Sequence, residues 1–162
     1  MQFIVTDADI ARILILIGFM FLAHIYLRSI IQPVHQLKRT MADILRTFSR
    51  YTYVIHYVDV IPPDLHSEVF EKLRRLSDQL YADIYLIPKW FFNFPLLGKI
   101  FSLPKEEMVY KSARNLTATA NWINVKHKNK LNHIVKNIQT ACDNLGLYID
   151  PKDRITNEHL NF

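Results

Sequence analysis

The sequence predicts an all-α protein, with one N-terminal transmembrane helix followed by a cytoplasmic bundle of about four helices. Three observations carry this reading. Residues 10–31 (IARILILIGFMFLAHIYLRSII) are the longest apolar run in the chain. Beyond Pro33, apolar residues recur at steps of three and four, the period of a helix with one buried face. Only three glycines occur in 162 residues, too few for the turn-rich connections of a β fold.

The apolar run sets the organisation. At the helical rise, residues 10–31 extend roughly 33 Å, against a hydrocarbon core of about 30 Å. The strictly uncharged part, residues 13–27 with His24 inside it, covers only about 22 Å. A full span therefore needs Arg12 and Arg28 to lay their aliphatic stems along the helix and leave their charges at the two interfaces. Lipid contact falls to Ile13, Leu14, Ile15, Leu16, Ile17, Phe19, Phe21 and Leu22, with Tyr26 at interfacial depth. The competing reading is a core helix of a soluble or oligomeric bundle, where Arg12 and His24 would also be comfortable. A cleaved signal peptide fits poorly. Asp7 and Asp9 precede the run, no Lys or Arg occurs in the first ten residues, and no paired small residues follow it. Arg28, Lys38, Arg39 and Arg46 outweigh Arg12, so the N-terminus is expected to be translocated and the rest to stay cytoplasmic. A lone Cys142 agrees with that compartment, and the sequon at Asn115 then never meets a glycosylation machinery.

The anchor is assigned to residues 1–32, the bundle to 33–147 and a polar tail to 148–162. Pro33 is expected to end or kink the anchor helix and to push Gln32 towards extended backbone. Residues 34–61 include a strand-like stretch (YTYVIHYV), but polar residues at Lys38, Arg46, Ser49, Thr52, His56 and Asp59 keep helical steps. Leu37, Met41, Leu45, Phe48, Ile55 and Val58 then line the inner face. Pro62-Pro63 stops this helix and Asp64 is placed as the next N-cap. In the following helix Leu65, Val69, Leu73, Leu76, Leu80 and Ile84 form one apolar face, opposite Glu68, Glu71, Lys72 and Arg75.

The connector over residues 87–104 (IPKWFFNFPLLGKIFSLP) breaks the pattern with three prolines, yet it is the most aromatic stretch of the chain. Two readings are physical: it folds under the helices to cap their core, or its aromatics enter the headgroup region or a partner. For the second reading the contact residues are Trp90, Phe91, Phe92, Phe94 and Lys99, with lysine meeting anionic lipid. Glu106 and Glu107 then open a helix whose stripe is Val109, Ala113, Leu116, Ala120 and Ile123, with small residues permitting close approach. A last helix is placed over residues 125–145 with Leu131, Ile134, Val135, Ile138, Ala141 and Leu145 inward, and Gly146 closing it.

The chemistry-bearing residues form no recognisable site. The seven histidines include no HExxH and no ExxH pair, so no metal is expected, and the glycines are too few for a phosphate-binding loop. His56 and Asp59 share a helix face but make an incomplete site. Cys142 has no adjacent basic pair and Ser lacks a GxSxG elbow. No catalytic residue and no cofactor is assigned. The net charge of +5 and pI near 9.3 indicate anionic partners. A basic face of Lys126, Lys128, Lys130 and Lys136 opens the last helix, where positive charge opposes the macrodipole. Without interleaved aromatics other than Trp122, it speaks more for a solvated face or anionic lipid than for nucleic acid.

The function expected from the sequence is a membrane-anchored, non-enzymatic interaction or accessory protein that presents a helical domain to a protein partner. One alternative is a membrane-active effector whose N-terminal helices homo-oligomerise with Arg12 and His24 facing a lumen. Another is a membrane-tethered binder of nucleic acid or anionic lipid.

Overall fold

The computed structural model describes residues 7–56, 62–125 and 129–148, and these residues are helical apart from short connections. The elements are α1 (Asp7–Tyr26), a single π turn (Leu27–Ile31), α2 (Gln32–His56), α3 (Pro63–Leu86), α4 (Lys89–Asn93), α5 (Pro95–Ile100), α6 (Glu106–Ile123) and α7 (Lys130–Leu145).

Pro33 neither ends the first helix nor extends Gln32, which has φ −63° and ψ −49°. Helix runs without a break from α1 through the π turn into α2. A proline in a regular helix lacks a donor and drives its ring into the carbonyl four residues back. The wider π turn ahead of it relieves that clash, and the Gln32 N–H bonds the Leu27 carbonyl five residues back. The division drawn at residue 32 is therefore not a break in the backbone. The apolar N-terminal helix and the first bundle helix are continuous.

Four helices build the core. On α2, Val34, Leu37, Met41, Ile44, Phe48 and Tyr51 are buried at alternating steps of three and four. Ile44 takes the core place expected of Leu45, which is only half-buried, and Val34 and Tyr51 extend the face beyond the residues expected from spacing. Ile55 and Val58 lie outside the side chains described. On α3 Val69, Leu73, Leu76, Leu80 and Ile84 are buried as expected while Leu65, at the helix start, is only half-buried, and on α6 Val109, Ala113, Leu116, Ala120 and Ile123 are all buried. The steps of three and four match the seam of left-handed helix packing.

Hydrogen bonds and ring contacts fix the directions of the helices. Thr40 pairs with Asp83 and Tyr51 with Glu68, so α3 runs antiparallel to α2. Ser77 bonds the Ala113 carbonyl while Tyr81 meets Tyr110, so α6 is antiparallel to α3. Ser112 bonds the Ala141 carbonyl while Trp122 stacks on His133, so α7 is antiparallel to α6. The small side chains Ala113, Ala120, Ser112 and Thr119 let α6 approach closely enough for hydroxyl-to-carbonyl bonds of 2.7 Å and 3.1 Å between helices. With α7 also touching α2, the four form an up-down-up-down bundle.

Helix ends follow local chemistry. Pro63 occupies the first turn of α3, with Pro62 as N-cap, so Asp64 lies inside the helix rather than capping it. Ile87 and Phe94 are extended because each precedes a proline, which separates α3, α4 and α5. Helix α7 begins at Lys130, later than residue 125, with Asn129 as its N-cap. Gly146 ends it with φ +66°, and the Leu147 N–H returns to the Cys142 carbonyl at 2.9 Å.

Candidate membrane-facing end

Helix α1 stands clear of the bundle. Its large apolar side chains, with Leu27 of the π turn, are between 44% (Ile25) and 72% (Phe19) exposed, and Ile13, Leu14, Ile15, Leu16, Ile17, Phe21 and Leu22 fall in that range. Amphipathic bundle helices bury one stripe; this helix buries none. Among the described residues it contains the one helix segment long and apolar enough to cross a membrane. Burial begins abruptly at Ile30, then continues through Pro33, Val34 and Leu37. Arg28 lies at the boundary and is exposed. Asp9 and Arg12 pair at 3.6 Å near the other end.

The antiparallel topology brings several segments to the end of the bundle where α1 departs. The C-terminus of α3, the connector α4–α5, the start of α6 and the end of α7 all lie there. Phe91 is fully buried, with Phe92 and Phe101 ring centroids at 5.9 Å and 5.6 Å. It plugs the end of the core beside Ile87. Phe91 is therefore not available for lipid or partner contact, which corrects the sequence reading, and Phe92 is half-buried on the core. Trp90, Phe94, Leu96 and Ile100 instead face outward at 47%, 57%, 72% and 71% exposure, with Lys89 and Lys99 exposed beside them. Trp90 and Phe94 meet edge to face at 6.3 Å.

The connector thus combines both readings of its sequence. One aromatic seals the core, and its neighbours form an exposed apolar surface. Tyr85, Leu86 and Tyr148, which sequence periodicity did not single out, are exposed at the same end. The available signal was the presence of large side chains off the buried stripe at helix ends. Outside α1 and the π turn, Val125 is the one exposed large apolar residue among those described that sits at the far end.

Basic residues are also present at this end, together with the exposed carboxylates of Glu107 and Asp143. Arg28, Lys38, Arg39, Lys89, Lys99 and Lys105 are exposed towards the α1 end. Asp83 there is buried and accepts a 2.5 Å hydrogen bond from Thr40. Glu107 is engaged by Lys111 at 2.7 Å, and that contact lowers its pKa.

Of the basic face expected from the sequence, only Lys130 and Lys136 fall within the described residues. Lys130 is buried at the start of α7, Lys136 is exposed farther along it, and Lys126 and Lys128 lie outside the described residues. The stacked Trp122–His133 pair, 4.3 Å apart, marks this opposite end of the bundle.

Other chemistry is sparse. Among the described residues no group of three or more His, Cys, Asp or Glu could hold a metal ion. Cys142 is buried, and desolvation pushes its thiol up to about 12, so it is protonated at neutral pH. A polar cleft between α2 and α3 is lined by Arg46, Arg50, Tyr51, Glu68 and Lys72. Within it the Tyr51 hydroxyl donates to Glu68, which raises the phenol pKa, and the Arg50 guanidinium lies 5.6 Å from the Tyr51 ring centre. These contacts tie two helices together and leave no activated nucleophile. No protein-family model, curated protein or solved structure matches this chain, so its own geometry carries the functional reading.

Proposed function

We propose that this chain is a single-pass membrane protein that holds a four-helix bundle at the cytoplasmic face as a non-catalytic interaction module. The observation that carries the reading is the exposure of α1 on all sides, joined by unbroken helix to a bundle that buries its own stripes. Burying that apolar surface is worth about 25 cal/mol per Å², a large penalty if it were left in water. The unbroken helix also disfavours a removable leader, because cleavage after the apolar run would cut a rod whose next turn carries the buried Ile30. The basic residues following α1 support a translocated N-terminus and a cytoplasmic bundle.

Site-directed labelling tests this topology. In a Cys142→Ala background, Asp7→Cys should react with a membrane-impermeant maleimide added outside intact cells. Lys136→Cys should react only after lysis. Reaction of both positions in intact cells, or of neither until lysis, contradicts the proposed topology.

A further inference from the structure

The geometry points to a second membrane contact: the α4–α5 connector rests in the headgroup layer of the same bilayer that α1 crosses, and so fixes the bundle upright on an anionic membrane. This inference rests on α1 being a membrane span and adds what the connector does.

The depths agree. The Thr40–Asp83 pairing sets the end of α3 level with residues 36–37 of α2. That level is about 12 Å along the helix axis from Arg28, where the apolar run ends. Ile30 and Pro33 lie beyond that level yet are buried, so packed structure reaches to within about 3 Å of Arg28 along the axis. The connector leaves α3 and returns to α6 at this same end of the bundle. A bilayer's headgroup layer is about 5–8 Å thick on each side, which falls inside the same interval.

The chemistry agrees as well. Trp90, Phe94, Leu96 and Ile100 provide apolar and interfacial aromatic surface, and Lys89 and Lys99 supply charge suited to anionic lipid. A water-facing loop would need none of these apolar residues. Within a bundle that buries its helix stripes, their concentration at the α1 end places them where a bilayer would meet them. Short amphipathic helices bind such an interface by shallow burial of an apolar face.

The chain's two tryptophans permit a direct test with the full protein reconstituted into phosphatidylcholine–phosphatidylserine vesicles that contain acyl-chain-brominated lipid. Trp122→Phe leaves Trp90 as the only tryptophan, excited selectively at the red edge of the absorption band, and Trp90→Phe leaves Trp122. A third variant, lacking both and carrying Phe19→Trp, reports on α1. The expected result is blue-shifted Trp90 emission that shallow bromines quench, unquenched Trp122, and quenching of the Phe19→Trp variant by deep bromines. Adding Lys89→Glu and Lys99→Glu should weaken Trp90 quenching in these vesicles. If Trp90 is as unquenched as Trp122 while the Phe19→Trp variant is quenched, the connector contact is wrong and the anchor stands. If the Phe19→Trp variant is also unquenched, the anchor itself is wrong and the connector contact falls with it.

Discussion

Phe91 and Phe94 lie three residues apart in one aromatic connector, and the structure gives them opposite roles. Phe91 is fully buried and contacts the rings of Trp90, Phe92 and Phe101, with centroids 6.3 Å, 5.9 Å and 5.6 Å away. Its replacement by alanine removes a large apolar side chain and leaves a cavity, a change that costs about 3–5 kcal/mol. Loss of the ring contacts places Phe91→Ala at about 4 kcal/mol. Phe94 is 57% exposed, so Phe94→Ala should stay within about 0.5 kcal/mol. With a urea dependence of about 2 kcal/mol per molar, the unfolding midpoint should fall by about 2 M for Phe91→Ala and hardly move for Phe94→Ala. The assay is urea unfolding of the detergent-solubilised full chain, followed by far-ultraviolet circular dichroism, with α1 held in the micelle and the bundle providing the transition. Equal and small shifts for the two variants would refute the docking of the connector on the core. A large shift for Phe94→Ala alone would show that the buried and exposed aromatics had been interchanged.

Other consequences follow from single contacts. Thr40→Val removes the hydroxyl that donates to the buried Asp83 carboxyl, and should destabilise the bundle by about 2 kcal/mol in the same unfolding assay. Gly146→Ala forces a Cβ into left-handed backbone at the end of α7; a loss of about 1 kcal/mol is expected, read as a lower thermal midpoint. Cys142, raised from the usual 9.0 to about 12 by burial, should resist iodoacetamide in the folded protein and react on unfolding. Because folding holds its proton more tightly, its contribution is intact below pH 9.0 and declines as pH rises towards 12. Cys142→Ala should lessen that part of the alkaline loss of stability, and an unchanged pH profile would remove the thiol as its source.

Much of the bundle was legible because its helices have only one way to bury their apolar residues. The stripe of α6, and that of α3 from Val69 onward, could be read residue by residue, since steps of three and four leave no other buried face. Legibility failed where that period is interrupted. Pro33 signals a break in any regular helix, and only the π turn before it, which depends on the whole rod, lets the helix continue. In α2, Leu45 and Ile44 are adjacent apolar residues. The choice between them depends on the rotation of α2 against α3, which sequence spacing alone leaves open.

The connector shows the same limit in its candidate contact residues. Three prolines divide it into pieces too short to show a period, so Trp90, Phe91, Phe92 and Phe94 look equivalent in sequence. Only the turn at Pro88 and the extended Phe94 decide that Phe91 points inward. The basic run at the start of the last helix suggests a solvated face, and lysine is rarely buried, yet the first turn of α7 buries Lys130. The exposed α1 was the clearest signal of all. No amphipathic stripe was present in its sequence, and no stripe is buried in its structure.

The central claim is that α1 resides in a membrane and that the bundle does not need it in order to fold. Carbonate extraction of membranes from cells expressing the full chain, compared with a chain lacking residues 1–26, tests both halves. The deletion stops short of Ile30 and Pro33, which are buried in the bundle. The account predicts that the full chain stays in the pellet, while the shortened chain leaves it and keeps a cooperative helical unfolding transition. A full chain released by carbonate would contradict the membrane span and make the exposed face of α1 a contact between proteins.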